Sequence, residues 1–249
     1  MWIDVCCRGG SARDHGAGTP TVDQLLAEMD RLHIDQSLVM SVWADVISPE
    51  HANVQLFDDL APHNRLLPVV EVLPEGGERF LDRQADGVAW FANQGAVAGV
   101  MHCQRNSFVL APWCSGQLLE AMQAVHLPLM VFYGDVSHDH LFEVLCDFPR
   151  LPVIFHEVPR VGYNRIAYPL LKQFPQLYLV CDPPQYVHIG LEYLVDRIGF
   201  EQLLFGTRYP ICEGGSAISG LMYASISDEA KQAISGGNIL RLMREIRHE

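Results

Sequence analysis

No stretch of this chain stays apolar long enough to cross a bilayer as a helix. Its opening, Met1-Trp2-Ile3-Asp4, has no basic segment followed by an apolar one, so no secretion signal is read there and a cytoplasmic location is expected. Positive charge is scarce: 17 Lys and Arg stand against 30 Asp and Glu, for a formal net charge of −13. Such a surface repels phosphate backbones and anionic headgroups, so neither nucleic acid nor a membrane is an expected partner. Linkers are missing too. Without a Ser/Gly run, charge block or low-complexity tract, residues 1–249 read as one domain. No Gly-x-Gly-x-x-Gly follows the first strand-like segment, and Arg8-Gly9-Gly10-Ser11 is a poor substitute, which argues against an open dinucleotide-binding sheet. The seven cysteines are odd in number and several fall inside regular segments, so reduced thiols are expected rather than a disulfide framework.

What the chain does have is 249 residues, 49% of them hydrophobic, which suffices for a sizeable core. Strand-like and helix-like segments alternate throughout. Strands are read at 1–6, 37–43, 66–73 and 96–102, and helices at 21–32, 49–60, 78–93 and 115–125. Further strands are read at 128–133, 152–156, 177–181 and 202–206, with helices at 138–147, 163–174, 189–198 and over most of 217–246. The strands are short apolar runs, as expected when both faces of a parallel sheet are buried. Eight such alternations in a chain of this length match an α/β fold of the (β/α)8, or TIM-barrel, type.

In that fold chemistry sits where the strands end, and alternation along a strand decides which side chains meet in the lumen. The last strand ends Phe205-Gly206-Thr207-Arg208-Tyr209-Pro210, which resembles a closing signature, Phe-Gly-Ser-Asp-Tyr-Pro, of the amidohydrolase-related family. Trp2-Ile3-Asp4-Val5 looks like the family's Ile-Asp-x-His-x-His opening, with Cys6 and Arg8 in the two histidine slots. Leu127-Pro128-Leu129-Met130-Val131-Phe132-Tyr133-Gly134 is similar to a phrase in which Phe132 takes the histidine position. The run Phe148 to His156 resembles a strand ending in a catalytic histidine, matched to His156 with Glu157 as the adjacent alternative. Gly237-Asn238-Ile239-Leu240-Arg241-Leu242 resembles the family's closing helix.

The resemblance implies hydrolase or decarboxylase ancestry on small carboxylates, usually with a divalent metal. It also implies that most metal positions are changed, because Arg8, Phe132 and Arg208 offer no lone pair to a cation. No metal cofactor is therefore expected. Two outcomes stay open for the arginines. They form a pocket for a small anion, or they pair internally with Glu71, Glu157 or Asp182. His156 and Cys6 are the candidate catalytic residues, His156 as an acid–base group or as partner to a Cys6 thiolate favoured by the arginines. A zinc site rebuilt from Cys6, His102 and His156 is one alternative; a non-catalytic interaction protein, self-associating or partnered, is another. Trp43, Trp113, Tyr133, Tyr186 and Tyr209 lie at strand ends and are expected either to wall a pocket or to plug the barrel mouth. The segment 106–114 is read as a cover and the glycine-rich 9–20 as a flap.

Overall fold

The computed structural model describes residues 1–9, 20–45, 47–74, 84–159 and 165–248. The expected flap at 9–20 lies almost wholly outside these, as do the starts of the expected third and sixth helices. The chain opens with β1 (Ile3–Gly9), α1 (Val22–Leu32), β2 (Gln36–Ser41), α2 (Pro49–Leu60), β3 (Leu66–Glu71) and α3 (Gln84–Asn93). It continues with β4 (Ala98–Val100), α4 (Pro112–Val125), β5 (Leu129–Phe132), α5 (His138–Asp147), β6 (Val153–His156) and α6 (Ala167–Gln173). The last elements are β7 (Leu177–Cys181), α7 (Gly190–Ile198), β8 (Leu203–Phe205), α8 (Gly214–Tyr223), α9 (Asp228–Gln232) and α10 (Asn238–Glu245). The eight strands are parallel and neighbour one another in chain order. A Cys7–Tyr209 bridge, with the Arg8 N–H donating to the Tyr209 carbonyl at 3.1 Å, joins the last strand's extension back to the first. The result is the expected (β/α)8 barrel.

Alternation sorts the side chains. Leu38, Met40, Val69, Val100, Met130, Phe132, Ile154, Val180 and Leu204 pack together in the lumen. Their strand neighbours, such as Val70, Met101, Val131, Phe155, Leu179 and Phe205, lie in the outer core with the helices. A register irregularity between Asp4 and Cys7 breaks this rule in β1. Val5 and Cys6 both join the lumen cluster, Cys7 turns to the layer of α1 and α2, and Arg8 returns to the mouth.

The helices follow from local rules. Thr21 and Gln24 form a reciprocal capping box that opens α1, whose Leu25 and Met29 are buried beside Cys7 and Val39. Burying each of these two side chains stabilises the fold by about 2 kcal/mol. Ser48 caps α2 and Pro49 occupies its first turn, where no amide hydrogen is missed. A π-helical turn over Ala233–Gly237 tucks under the start of β1. Glycine is required at Gly236, since a Cβ there would lie 2.8 Å from the Met1 carbonyl oxygen. From this turn α10 sends Ile239 and Leu242 into the lumen cluster, closing the barrel where its strands begin. The opposite end is the mouth. No helix among the described residues is long and apolar enough to cross a membrane.

Some boundaries differ from expectation. The second strand stops at Ser41, because the Ser41 hydroxyl accepts the Trp43 N–H at 3.1 Å and starts a 3-10 turn. The fourth helix starts at Pro112 rather than residue 115, which places Trp113 in its first turn, 79% exposed. The expected cover at 106–114 is thus shortened by a helical turn, and Trp113 covers nothing.

Candidate functional site at the barrel mouth

Two charged groupings face each other across the strand ends. The first is built on Glu71, the last residue of β3. Its backbone N–H donates to Asn53 Oδ1 and its carbonyl accepts from Asn53 Nδ2, both at 2.8 Å, so a buried side chain of α2 anchors the strand end. The Glu71 carboxylate is itself buried. It accepts from Asn106 Nδ2 at 2.9 Å, pairs with Arg105 Nη2 at 2.9 Å, and meets His102 Nδ1 at 2.9 Å (Oε2) and 3.1 Å (Oε1). The loop carrying His102 and these two residues is tied down by Asp135, whose carboxylate accepts the Cys103 and Gln104 N–H groups at 2.7 and 2.8 Å.

The His102 ring stacks on Phe132, with centroids 5.0 Å apart and planes at 24°. On its far side Nε2 lies 3.3 Å from Arg8 Nη2, and the Arg8 guanidinium carbon stands 5.8 Å from the Phe132 centroid. A guanidinium can only donate and a carboxylate can only accept. Nε2 must therefore carry the lone pair and Nδ1 the proton directed to Glu71. Arg105 Nη2, 3.0 Å from Nδ1, is then a close neighbour and its bond is to Glu71.

The second grouping lies at β6–β8. Glu157 and Arg208 both have left-handed backbones, with φ of 53° and 61°. That conformation costs a non-glycine residue on the order of 1 kcal/mol. The two strained residues point at each other: Arg208 Nη2 is 2.9 Å from Glu157 Oε2. Arg208 Nη1 also lies 3.8 Å from Asp182 Oδ2, while the Arg208 Nε and both Asp182 oxygens are buried without a hydrogen bond. Burial pushes the Asp182 carboxyl up to about 6, and Arg208 only partly offsets it. Thr207, the residue before Arg208, is held by Asp4. Asp4 Oδ1 accepts the Thr207 and Cys6 N–H groups, each at 2.9 Å, and Asp4 Oδ2 accepts the Thr207 hydroxyl.

His156 sits at the end of β6, fully buried and tilted against Phe132 at 5.2 Å. Neither ring nitrogen has a hydrogen-bond partner. Burial, then Arg8 and His102, hold its pKa down to about 3, so the ring is neutral.

The expected site residues thus meet in part. Arg8, Glu71 and His102 form one group and Glu157, Asp182 and Arg208 the other, with Phe132 and His156 between. Three expectations need correction. The arginines were expected to favour a Cys6 thiolate, but burial and then Asp4, Asp182 and Glu157 push the Cys6 thiol well up, outweighing Arg8. Cys6, His102 and His156 do not assemble as a zinc cage; among the described residues no three His, Cys, Asp or Glu side chains gather as metal ligands would. The aromatics, expected either to wall a pocket or to plug the mouth, make separate contacts of their own. Tyr133 packs on His138 and Phe155 on the helix side, the Tyr186 hydroxyl donates to the Cys181 carbonyl at 2.9 Å, and Trp43 is half-buried in its 3-10 turn. Tyr209 instead lines a surface cleft of about 480 Å³ with Gln24, Glu28 and Arg31 of α1. Counting by twos from Phe132 places Tyr133 outward from sequence alone. Asn53, Arg105, Asn106 and Asp135, which build the Glu71 grouping, carry no comparable signal.

A parallel (β/α)8 barrel with ionisable residues collected at the C-terminal strand ends defines the class: a TIM barrel with its candidate site on that face. A family model described as amidohydrolase matches residues 16–244, and the chain belongs to that family. Among solved structures it is similar to a TIM-barrel protein from Bordetella bronchiseptica, at 16% identity and TM-score 0.73 over 98% of both chains. It is likewise similar to 5-carboxyvanillate decarboxylase from Sphingomonas paucimobilis, at 15% identity and TM-score 0.70 over 99% of both. A third likeness is to a Pseudomonas putida protein described as a 2-pyrone-4,6-dicarboxylic acid hydrolase, at 14% identity and TM-score 0.72 over 98% of this chain and 97% of that one. At these identities the likeness concerns the fold. Among curated proteins, none matches this sequence.

Proposed function

We propose that this amidohydrolase-family barrel takes a small carboxylate at its mouth and that any reaction it runs does without the family's usual metal. One observation carries the reading. Guanidinium groups stand at the ends of both β1 and β8, adjacent strands, where Arg8 and Arg208 supply fixed positive charge and no ligand atom. The absence of any three-ligand His/Cys/Asp/Glu group among the described residues supports the same reading. Arginine is suited to carboxylates because its planar fork bonds both oxygens at once. His156, neutral and with both ring nitrogens unengaged, is the group left to bond the rest of such a ligand, one nitrogen donating and the other accepting. Cys6 serves as packing in this reading, and the aromatic and pyrone acids named for the structural neighbours set the size of probe to try.

The test is thermal unfolding of the wild type, Arg8→Met and Arg208→Met with and without benzene-1,3-dicarboxylate, beside metal analysis of protein purified without a histidine tag. The expected result is substoichiometric zinc and manganese and a ligand-induced rise in Tm that Arg8→Met abolishes. A ligand at 100-fold excess over its Kd stabilises by about 2.7 kcal/mol, which is several degrees for a chain of this size. Stoichiometric metal, or an unchanged rise in both variants, refutes the reading. Binding without turnover remains the second reading. It is favoured by the closed pairing of Arg208 with Glu157 and of Arg105 with Glu71, which leaves those charges satisfied without a substrate.

A further inference from the structure

Resting on the carboxylate reading above, we infer that His102, oriented by Glu71 and covered by Arg8, is the proton-transfer group of the mouth, and that a bound carboxylate uncovers it by drawing Arg8 to itself.

Three features of the geometry lead there. First, the ring is fixed on two sides, by Phe132 beneath it and by the buried Glu71 carboxylate at Nδ1. Glu71 is itself held through its backbone by Asn53 and through its carboxylate by Asn106 and Arg105. A carboxylate that holds one imidazole nitrogen as N–H sets the tautomer and the ring's orientation, leaving the lone pair on the other nitrogen. Second, that other nitrogen, Nε2, faces the mouth and meets Arg8 at 3.3 Å. While Arg8 donates to it, Nε2 cannot take a proton. Third, the residue first expected to move protons is poorly placed for it. His156 has no partner to orient it, and its burial opposes the charged form.

The sequence of events follows from charge. Among the described residues, the charged and titratable groups facing His102 are Glu71 from β3, Arg8 from β1, Arg105 from its own loop and His156 from β6. An incoming carboxylate competes with Nε2 for the Arg8 donors and wins, because two parallel bonds between opposite charges are stronger than one bond to a neutral imidazole. Nε2 is then left with its lone pair beside a new negative charge. It takes one proton from solvent buffer, and the imidazolium so formed lies between Glu71 and the ligand carboxylate. That imidazolium is a general acid aimed at the bound molecule. The ligand class is thus a carboxylate carrying, next to its acid group, a carbon or oxygen that accepts a proton.

The experiment has an arm that needs no ligand. In the free full-length protein, ring-nitrogen NMR is expected to show His102 protonated at Nδ1 and bare at Nε2. An Nε2-protonated ring overturns the inference whether or not any acid binds. In the second arm, calorimetry with benzene-1,3-dicarboxylate is run near neutral pH in two buffers of different ionisation enthalpy. The expected uptake is about one proton per ligand bound in the wild type and almost none in His102→Gln. Uptake that survives in His102→Gln overturns the assignment. A correct His102 spectrum with no binding of the acid instead refutes the carboxylate pocket, and with it the uncovering step.

Discussion

Asp182 offers the sharpest quantitative test of the mouth. Its carboxylate is buried, lacks hydrogen bonds, and has Arg208 no closer than 3.8 Å. Burial raises its pKa from 3.8 to about 6. Below the unfolded value both states are protonated and nothing is lost. Between that value and the folded one the unfolded chain ionises first, so stability falls as pH rises. Above the folded value the loss is complete. A gap of about two pH units corresponds to about 3 kcal/mol. Asn keeps the shape and removes the charge, so Asp182→Asn is expected to match the wild type near pH 4 and to exceed it by about 3 kcal/mol at pH 8. For a chain of this size that is about 6–12 °C in Tm. The wild-type profile alone hides the effect. His156 works in the opposite direction, since its folded pKa of about 3 lies below its ordinary 6.5 and the unfolded chain binds a proton that the folded one refuses. From roughly pH 4 to 6 the two slopes have opposite signs and similar size, about 1.4 kcal/mol per pH unit each. Urea unfolding of wild type and variant across pH 4–8 therefore measures the difference, in which the His156 contribution cancels. A variant less stable than the wild type at pH 8 would mean that the attraction of Arg208 outweighs burial, and would refute the reasoning.

Other expectations follow from the same contacts. Once Asp182→Asn has unmasked the His156 slope, stability should fall by up to about 5 kcal/mol as pH drops from 6.5 to 3, and a His156→Gln second substitution should flatten that fall in urea titrations. Cys6 should resist iodoacetamide at neutral pH while the exposed Cys146 is labelled, as read by peptide mass spectrometry; rapid labelling of Cys6 would contradict its burial and raised pKa. Asn53→Ala removes both bonds to the Glu71 backbone and leaves two buried polar groups unpaired, a loss of about 2–4 kcal/mol by chemical denaturation, with the His102 ring signals shifted as Glu71 loosens.

The frame was readable because it is written in repeats. Most strands are short apolar runs largely buried on both faces, and a spacing of two puts Cys6 in the lumen and Arg8 at the mouth, although the irregularity at Asp4–Cys7 breaks strict alternation in β1. The partners at the mouth were readable only as alternatives. Alternation says which way Glu71, Asp182 and Arg208 point; it says nothing of the left-handed backbone at Glu157 and Arg208 that turns those two toward each other. Nor does any local pattern in α2 announce that Asn53 will complete the end of β3, or that Asp135 will pin the loop of His102 through two amides. Such contacts span tens of residues and depend on loop paths that side-chain periodicity does not encode.

That division explains how such a mouth can coexist with an unaltered family barrel. The lumen core and the helix layer rest on apolar packing that is indifferent to what stands at the last residue of each strand. The strand ends carry a different load. There a buried Asp182, a neutral His156 and two left-handed residues each oppose stability by one to several kcal/mol. Groups that oppose folding and gather at one end of the barrel are where a ligand gains most by binding, because it can supply hydrogen bonds that the fold withholds. On this argument the stability optimum and the ligand-binding optimum of the chain should be set by the same residues. Asp182→Asn should fold better and also bind a carboxylate more tightly, because it removes a like charge 3.8 Å from Arg208.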